Sequence, residues 1–117
     1  MSELPADPEL EHATSVLRLL ADRTRLGILA LLADQELTVT ALAEALDRPV
    51  PAVSQHLAKL RTAGLVVVRR QGTSSHYRQP DEHLAALVTN ALQFAEHAVY
   101  AEAPHHRSQR HGVERPG

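Results

Sequence analysis

Pro51-Ala-Val-Ser-Gln-His-Leu-Ala-Lys-Leu-Arg-Thr-Ala-Gly64 is the stretch on which the fold turns. Val53, Leu57 and Leu60 recur at i, i+4 and i+7, the spacing of a buried helical stripe. Gln55, Lys59 and Thr62 repeat that spacing on another face, and all three are polar. Pro51 suits the first helical turn, where its missing N–H is no loss, and Gly64 suits the left-handed position just past the end. The spacing therefore predicts a short helix with one face for a core and one for a partner. A helix this short with a Ser/Gln/Lys face is sized for a DNA major groove. An ordinary amphipathic surface helix would carry the same stripe, so the flanking sequence has to decide.

Upstream, Thr38-Val-Thr-Ala-Leu-Ala-Glu-Ala-Leu46 predicts a second short helix with Val39, Leu42, Ala43 and Leu46 inward. Asp47-Arg-Pro-Val50 makes a tight turn between the two. Such a pair forms a helix-turn-helix, whose second helix reads the groove. Downstream, Leu65-Val-Val-Val-Arg-Arg70, the turn residues Gln71-Gly-Thr-Ser74 and then Ser75-His-Tyr-Arg78 predict a β-hairpin with a basic tip. A helix-turn-helix followed by such a hairpin is a winged helix. The fold class expected is mainly α with one small hairpin.

The formal net charge of −2 conceals an asymmetry. From Arg48 to Arg78 there are six basic residues and no acid, whereas residues 1–47 carry −6 and residues 79–117 carry −2. A block of one sign around the candidate recognition helix is the footprint of a polyanion partner, here double-stranded DNA. Ser54 and Gln55 are expected to reach base edges, with His56 beside them. Lys59, Arg61, Arg69, Arg70 and Arg78 are expected to contact phosphate or base, the wing arginines positioning the domain without reading sequence.

The remainder of the chain frames this unit. Residues 1–8 are expected to be a loose arm, 9–103 a winged-helix DNA-binding and dimerisation domain, and 104–117 a His-rich tail. A first amphipathic helix is predicted over about 9–21, on Leu10, Ala13, Val16, Leu17 and Leu20. Asp22 is placed to cap a second helix running to about Ala33, apolar nearly all round and so central to the core. Arg23 and Arg25 at its start are expected to pair with nearby acids. From Asp81 a last helix carries the longest stripe: Leu84, Leu87, Val88, Ala91, Leu92, Ala95, Ala98 and Val99. A chain of 117 residues has little left to cover that stripe, which predicts a twofold homodimer through the terminal helices.

Five of the eight histidines lie from His83 onward. His83 and His97 are 14 residues apart, close to one helical face but roughly 21 Å apart along the axis. A metal–nitrogen bond is only about 2.1 Å long, so one helix cannot bring both to one ion. An antiparallel partner helix would set His83 of one chain beside His97 of the other. Glu96 adds a carboxylate, with His105 and His106 in the tail, and Asp81 and His111 as weaker candidates. His12, His56 and His76 are read as non-ligands, with His56 on the recognition helix and His76 in the wing expected to contact DNA.

Taken together, Leu20-Ala-Asp-Arg-Thr-Arg-Leu-Gly-Ile-Leu29, Leu42-Ala-Glu-Ala-Leu46, Val53-Ser-Gln-His-Leu-Ala-Lys-Leu-Arg61, Gly64-Leu-Val66 and Arg70-Gln-Gly-Thr73 resemble the ArsR/SmtB family of metal-responsive bacterial transcriptional repressors. The resemblance covers about residues 9–100. It implies a dimeric repressor that leaves its operator when metal binds. In its C-terminal part the chain resembles the nickel- and cobalt-sensing members, which implies His83, Glu96, His97, His105 and His106 as ligands for Ni2+ or Co2+, with Zn2+ possible. Another pattern in the family continues from a D-x-H pair to a second ligand pair further along the helix. Asp81-Glu-His83 and His97 fit it, but Phe94 occupies the first position of the later pair, which argues against a tetrahedral zinc-type site. Imidazole and carboxylate donors suit nickel, cobalt and zinc, whereas softer ions favour thiolate.

Other classes fit poorly. The chain has no cysteine, which excludes disulfides and thiolate metal sites. Its N-terminus has no apolar signal region and its longest apolar run is too short to span a bilayer, so a cytoplasmic location is expected. No enzyme is expected, since Ser54 and His56 are two apart on one helix and cannot face each other. The rival that remains is a metal-independent winged-helix regulator responding to another signal or to a partner protein.

Overall fold

The computed structural model describes residues 3–101. Helix α1 spans Asp7–Leu20, α2 Arg23–Leu31, α3 Val39–Leu46, α4 Val50–Thr62 and α5 Glu82–Ala101; strands β1, β2 and β3 are Leu37–Thr38, Val67–Gln71 and Ser74–Arg78. The expected winged helix-turn-helix is present. Two boundaries differ from expectation. Helix α1 starts at Asp7, inside the expected arm, with Pro8 in its first turn and Asp7 and Glu9 at its positive end. The wing has a third strand, β1, at the start of α3, and the sheet order is β1-β3-β2.

Local chemistry sets each helix start. The Asp22 side chain accepts the Arg25 backbone N–H at 2.9 Å, capping α2. The Thr38 hydroxyl accepts the Ala41 N–H at 3.2 Å, capping α3. Asp81 Oδ1 accepts the N–H groups of His83 and Leu84, at 2.9 and 3.2 Å, at the start of α5. At the other ends, Asp47 takes a left-handed backbone (φ 55°) between α3 and α4, and Gly64 does the same (φ 78°) after α4.

Helix α2 is the hub, packing on α1, α3, α4 and α5. Ile28 and Leu29 are fully buried, and the core around them holds Leu42 from α3, Val53, Leu57 and Leu60 from α4, Val66, and Val88 from α5. The stripe read on α4 is therefore the one that reaches the core. At Gly27 a Cβ would come within 2.9 Å of Leu46 Cδ2, so the missing side chain lets α3 approach α2. Gln79, just after β3 and buried, donates from Nε2 to the Leu29 carbonyl at 2.7 Å and ties the exit of the wing to α2.

The outer helices are less complete. On α1 only Leu20 of the expected stripe is buried, while Leu10 and Leu17 are exposed. On α5 the stripe divides: Leu84 and Val88 are buried, and Leu87, Leu92 and Val99 are exposed by 40%, 41% and 61%, as is Phe94 outside the stripe. No helix among the described residues is long and apolar enough to cross a membrane.

Candidate nucleic-acid interface and metal ligands

Burial of Val53, Leu57 and Leu60 leaves the opposite side of α4 to solvent. Ser54, Gln55, Lys59 and Arg61 are all exposed there. None of their side chains has a hydrogen-bond or ion-pair partner among the described residues, so their donors and acceptors remain available to a groove. Lys59 and Arg61 sit in the last turn of α4, where a cation is favoured by the helix dipole.

His56 departs from the expectation of an outward contact. It is half-buried against the start of α2, where Arg25 Nη1 lies 3.3 Å from its Nδ1 and Asp22 Oδ1 lies 4.0 Å away. A guanidinium can only donate, so this bond needs an unprotonated Nδ1 and leaves the ring proton on Nε2. The first task of His56 is thus internal, joining the recognition helix to the α2 cap. Arg25 behaves as expected of a residue pairing with acids: its Nη1 is 3.8 Å from Asp22 Oδ2, and its Nε donates to the Leu19 carbonyl at 2.7 Å. Arg23 does not, having no partner among the described residues.

The wing arginines divide by face. Arg70 pairs in register with Ser75 and donates to its hydroxyl at 3.2 Å, and it forms no ion pair among the described residues. Arg69 and Arg78 instead meet Glu36, the residue before β1. Arg69 Nη2 donates to Glu36 Oε1 at 2.8 Å, and Arg78 Nε lies 3.7 Å from Oε2. The Arg69 hydrogen bond is the main reason the Glu36 carboxyl is held below its ordinary pKa, and Glu36 in turn raises that of Arg69. This acid was missed in the sequence because the strand that delivers it was not expected. Its signal would have been an acid directly before the Leu-Thr pair that leads into α3.

The candidate metal ligands sit at opposite ends of α5. His83 is exposed, its Nδ1 3.9 Å from Asp81 Oδ1. Glu96 and His97 line a shallow concavity with Gln93 and Tyr100. Within one protomer no group of three or more His, Asp or Glu side chains among the described residues converges on a point that would hold an ion. His105, His106 and His111 lie outside the described residues. The donors that are described are solvent-facing imidazoles and carboxylates, suited to zinc, nickel or cobalt but unable to enclose an ion within one copy.

The geometry can be set beside known proteins. The sequence pattern of "Bacterial regulatory protein, arsR family" matches residues 22–68, from the α2 cap into β2. The chain is 48% identical to the HTH-type transcriptional regulator KmtR of Mycobacterium tuberculosis, over 87% of this chain and 78% of that protein. It is 40% identical to the HTH-type transcriptional repressor SmtB of the same species, over 78% of this chain and 70% of the repressor. Its fold superposes with a TM-score of 0.73, at 32% identity and covering 86% of this chain and 95% of the other, on a homodimeric winged helix-turn-helix DNA-binding domain from Mycobacterium bovis, described as a possible ArsR-family transcriptional regulator. These relatives are regulators and not enzymes. With the capped α2 hub, the helix-turn-helix and the wing all inside the shared region, the chain belongs to the ArsR family of bacterial regulatory proteins.

Proposed function

We propose that this regulator is a homodimeric repressor that binds operator DNA through α4 and the wing, and is released from it by nickel or cobalt. The observation that carries the reading is the uncovered half of α5. Its stripe residues Leu87, Leu92 and Val99 face solvent on the same helix that bears His83 at one end and Glu96-His97 at the other. Two such helices packed antiparallel would bury the stripe and bring His83 of one protomer beside Glu96 and His97 of the partner subunit. One packing event would thus close the dimer and assemble a ligand set. The similarity to a homodimeric domain supports the twofold arrangement, and a symmetric dimer suits a palindromic site with half-sites one helical turn apart.

In this reading Ser54 and Gln55 reach base edges, while Lys59, Arg61, Arg69, Arg70 and Arg78 serve the phosphates or bases, with the Nε2–H of His56 beside them. His105 and His106 would complete a five- or six-donor shell that favours nickel or cobalt over tetrahedral zinc, and Asp81 and His111 are secondary donors. A bound ion would supply a fixed cross-link between the two terminal helices. The alternative is a metal-independent regulator of the same family, which would share every DNA-binding feature and differ only in what the histidines do. Equilibrium titration of the purified protein with Ni2+, Co2+ and Zn2+, with and without DNA, separates the two. Nickel or cobalt binding that weakens DNA binding is expected; absence of stoichiometric binding of any of the three ions leaves the metal-independent reading.

A further inference from the structure

We propose that Glu36 is a resident counter-ion of the wing: its carboxylate occupies the fork of Arg69 that a DNA phosphate would take, so that binding exchanges one anion for the other and Glu36 sets affinity for DNA of any sequence. The inference rests on the DNA-binding reading of the fold.

Between Arg48 and Arg78 the sequence holds no acid. The fold imports one. Pairing of Thr38 with His76, and of His76 with Arg69, puts those three residues side by side across the sheet. Glu36, two residues before Thr38, continues β1 on the same face, because side chains alternate with a period of two. It therefore meets both arginines of that face.

The contact is a fork. Arg69 Nη2 donates to Oε1 at 2.8 Å, and Nε donates to Oε1 at 3.2 Å and Oε2 at 3.4 Å. Arg69 Nη1 is used as well, donating to Gln71 Oε1 at 3.0 Å. The Nε–Nη2 edge is the part of a guanidinium that recognises planar carboxylate and phosphate alike. A phosphate approaching Arg69 must then displace the carboxylate. The exchange is feasible because the pair is solvated, with 48% of the Arg69 side chain and 31% of that of Glu36 exposed, and exposed pairs are weak. The lowered carboxyl pKa of Glu36 agrees with the geometry and keeps the carboxylate charged at neutral pH.

The same contact could instead orient Arg69 for phosphate, and the two roles differ in sign. The test is fluorescence anisotropy of the full chain with a mixed-sequence DNA duplex over a range of salt. Glu36→Gln keeps the size and polarity of a half-buried residue, and a thermal melt verifies its fold. If Glu36 competes with phosphate, the variant binds roughly three- to tenfold more tightly at low salt, and log K falls with log salt more steeply by up to about one, since one more arginine is free to release a counterion from DNA. In an Arg69→Gln background most of that gain disappears. Equal or weaker binding by Glu36→Gln overturns the proposal, and so does an undiminished gain without Arg69, which would reduce Glu36 to a diffuse charge. A wild-type chain that binds no duplex would instead remove the DNA-binding reading and the inference with it.

Discussion

Asp22 Oδ1 accepts the Arg25 N–H, Oδ2 lies 3.8 Å from the Arg25 guanidinium, and His56 stands at the edge of the same cluster. One carboxylate thus caps the hub helix and touches the residue that links it to α4. Asp22→Ala is expected to cost about 1 kcal/mol of unfolding free energy in urea titrations. The cap hydrogen bond is the largest of the effects that hold the Asp22 carboxyl below 3.8. A carboxyl depressed in the folded state contributes stability that is present above its unfolded value and lost as pH falls through the depressed one. The gap between wild type and Asp22→Ala should therefore be full at neutral pH and close only in acid below 3.8. A gap that closes well above 3.8 would show that the Asp22 carboxylate is not its source. Gln55, exposed on α4, is the proposed base reader at this scale. Gln55→Ala should lose about 1–3 kcal/mol of discrimination between operator and random DNA; equal loss on both in binding isotherms would remove it from the reading set. Asp22 and Gly64 were legible because a cap and a helix stop depend on near neighbours. His56 and Glu36 were not, because their partners are 31 and 33 residues away.

Among the elements, α4 was read correctly in which residues are buried and which polar ones are exposed, since its three core residues repeat over two turns and its polar ones do the same. The hairpin followed from β-branched residues on one side of Gly72, whose φ of 61° serves the turn. Strand β1 was invisible because Leu37–Thr38 is two residues long and offers no period; it exists only through pairing with β3. Its presence matters, for it delivers both the Thr38 cap of α3 and the Glu36 carboxylate to the wing. The terminal helix was legible as a stripe, but a stripe cannot say what covers it. Leu84 and Val88 turned out to join the core against α2, while Leu87, Leu92 and Val99 stay uncovered. Leu92 is 41% exposed in the single protomer, so a charge there costs that protomer little. If α5 is the seam, Leu92→Glu buries an unpaired charge at the interface, and sedimentation should find folded monomer, or unfolded protein if the protomer cannot stand alone. A well-folded dimer of that variant would put the seam on another surface, with the exposed Leu10 and Leu17 of α1 next in line.

For the whole molecule the question is how an ion on the terminal helices would alter a groove contact made by α4. Helix α5 packs on α2 through Leu84 and Val88, and α2 meets α4 both through the core and through the Arg25–His56 bond. A metal that fixed one relative setting of the two terminal helices would then bias the spacing of the two recognition helices. That requires the ion to bind one setting better than the other, and the resulting coupling must be reciprocal: DNA weakens metal by the same factor that metal weakens DNA, on the order of 1–3 kcal/mol. His97→Ala should remove most nickel affinity and all nickel effect on DNA, yet leave metal-free DNA binding near wild type, because His97 is not among the residues proposed to touch DNA. His105→Ala with His106→Ala should weaken nickel more than zinc, since only the higher-coordinate ion needs the tail. Nickel and zinc titrations with and without operator DNA read both. A His97→Ala protein that binds nickel like wild type and still responds on DNA would dismiss the terminal-helix site, leaving these histidines as surface residues and the regulator to another signal.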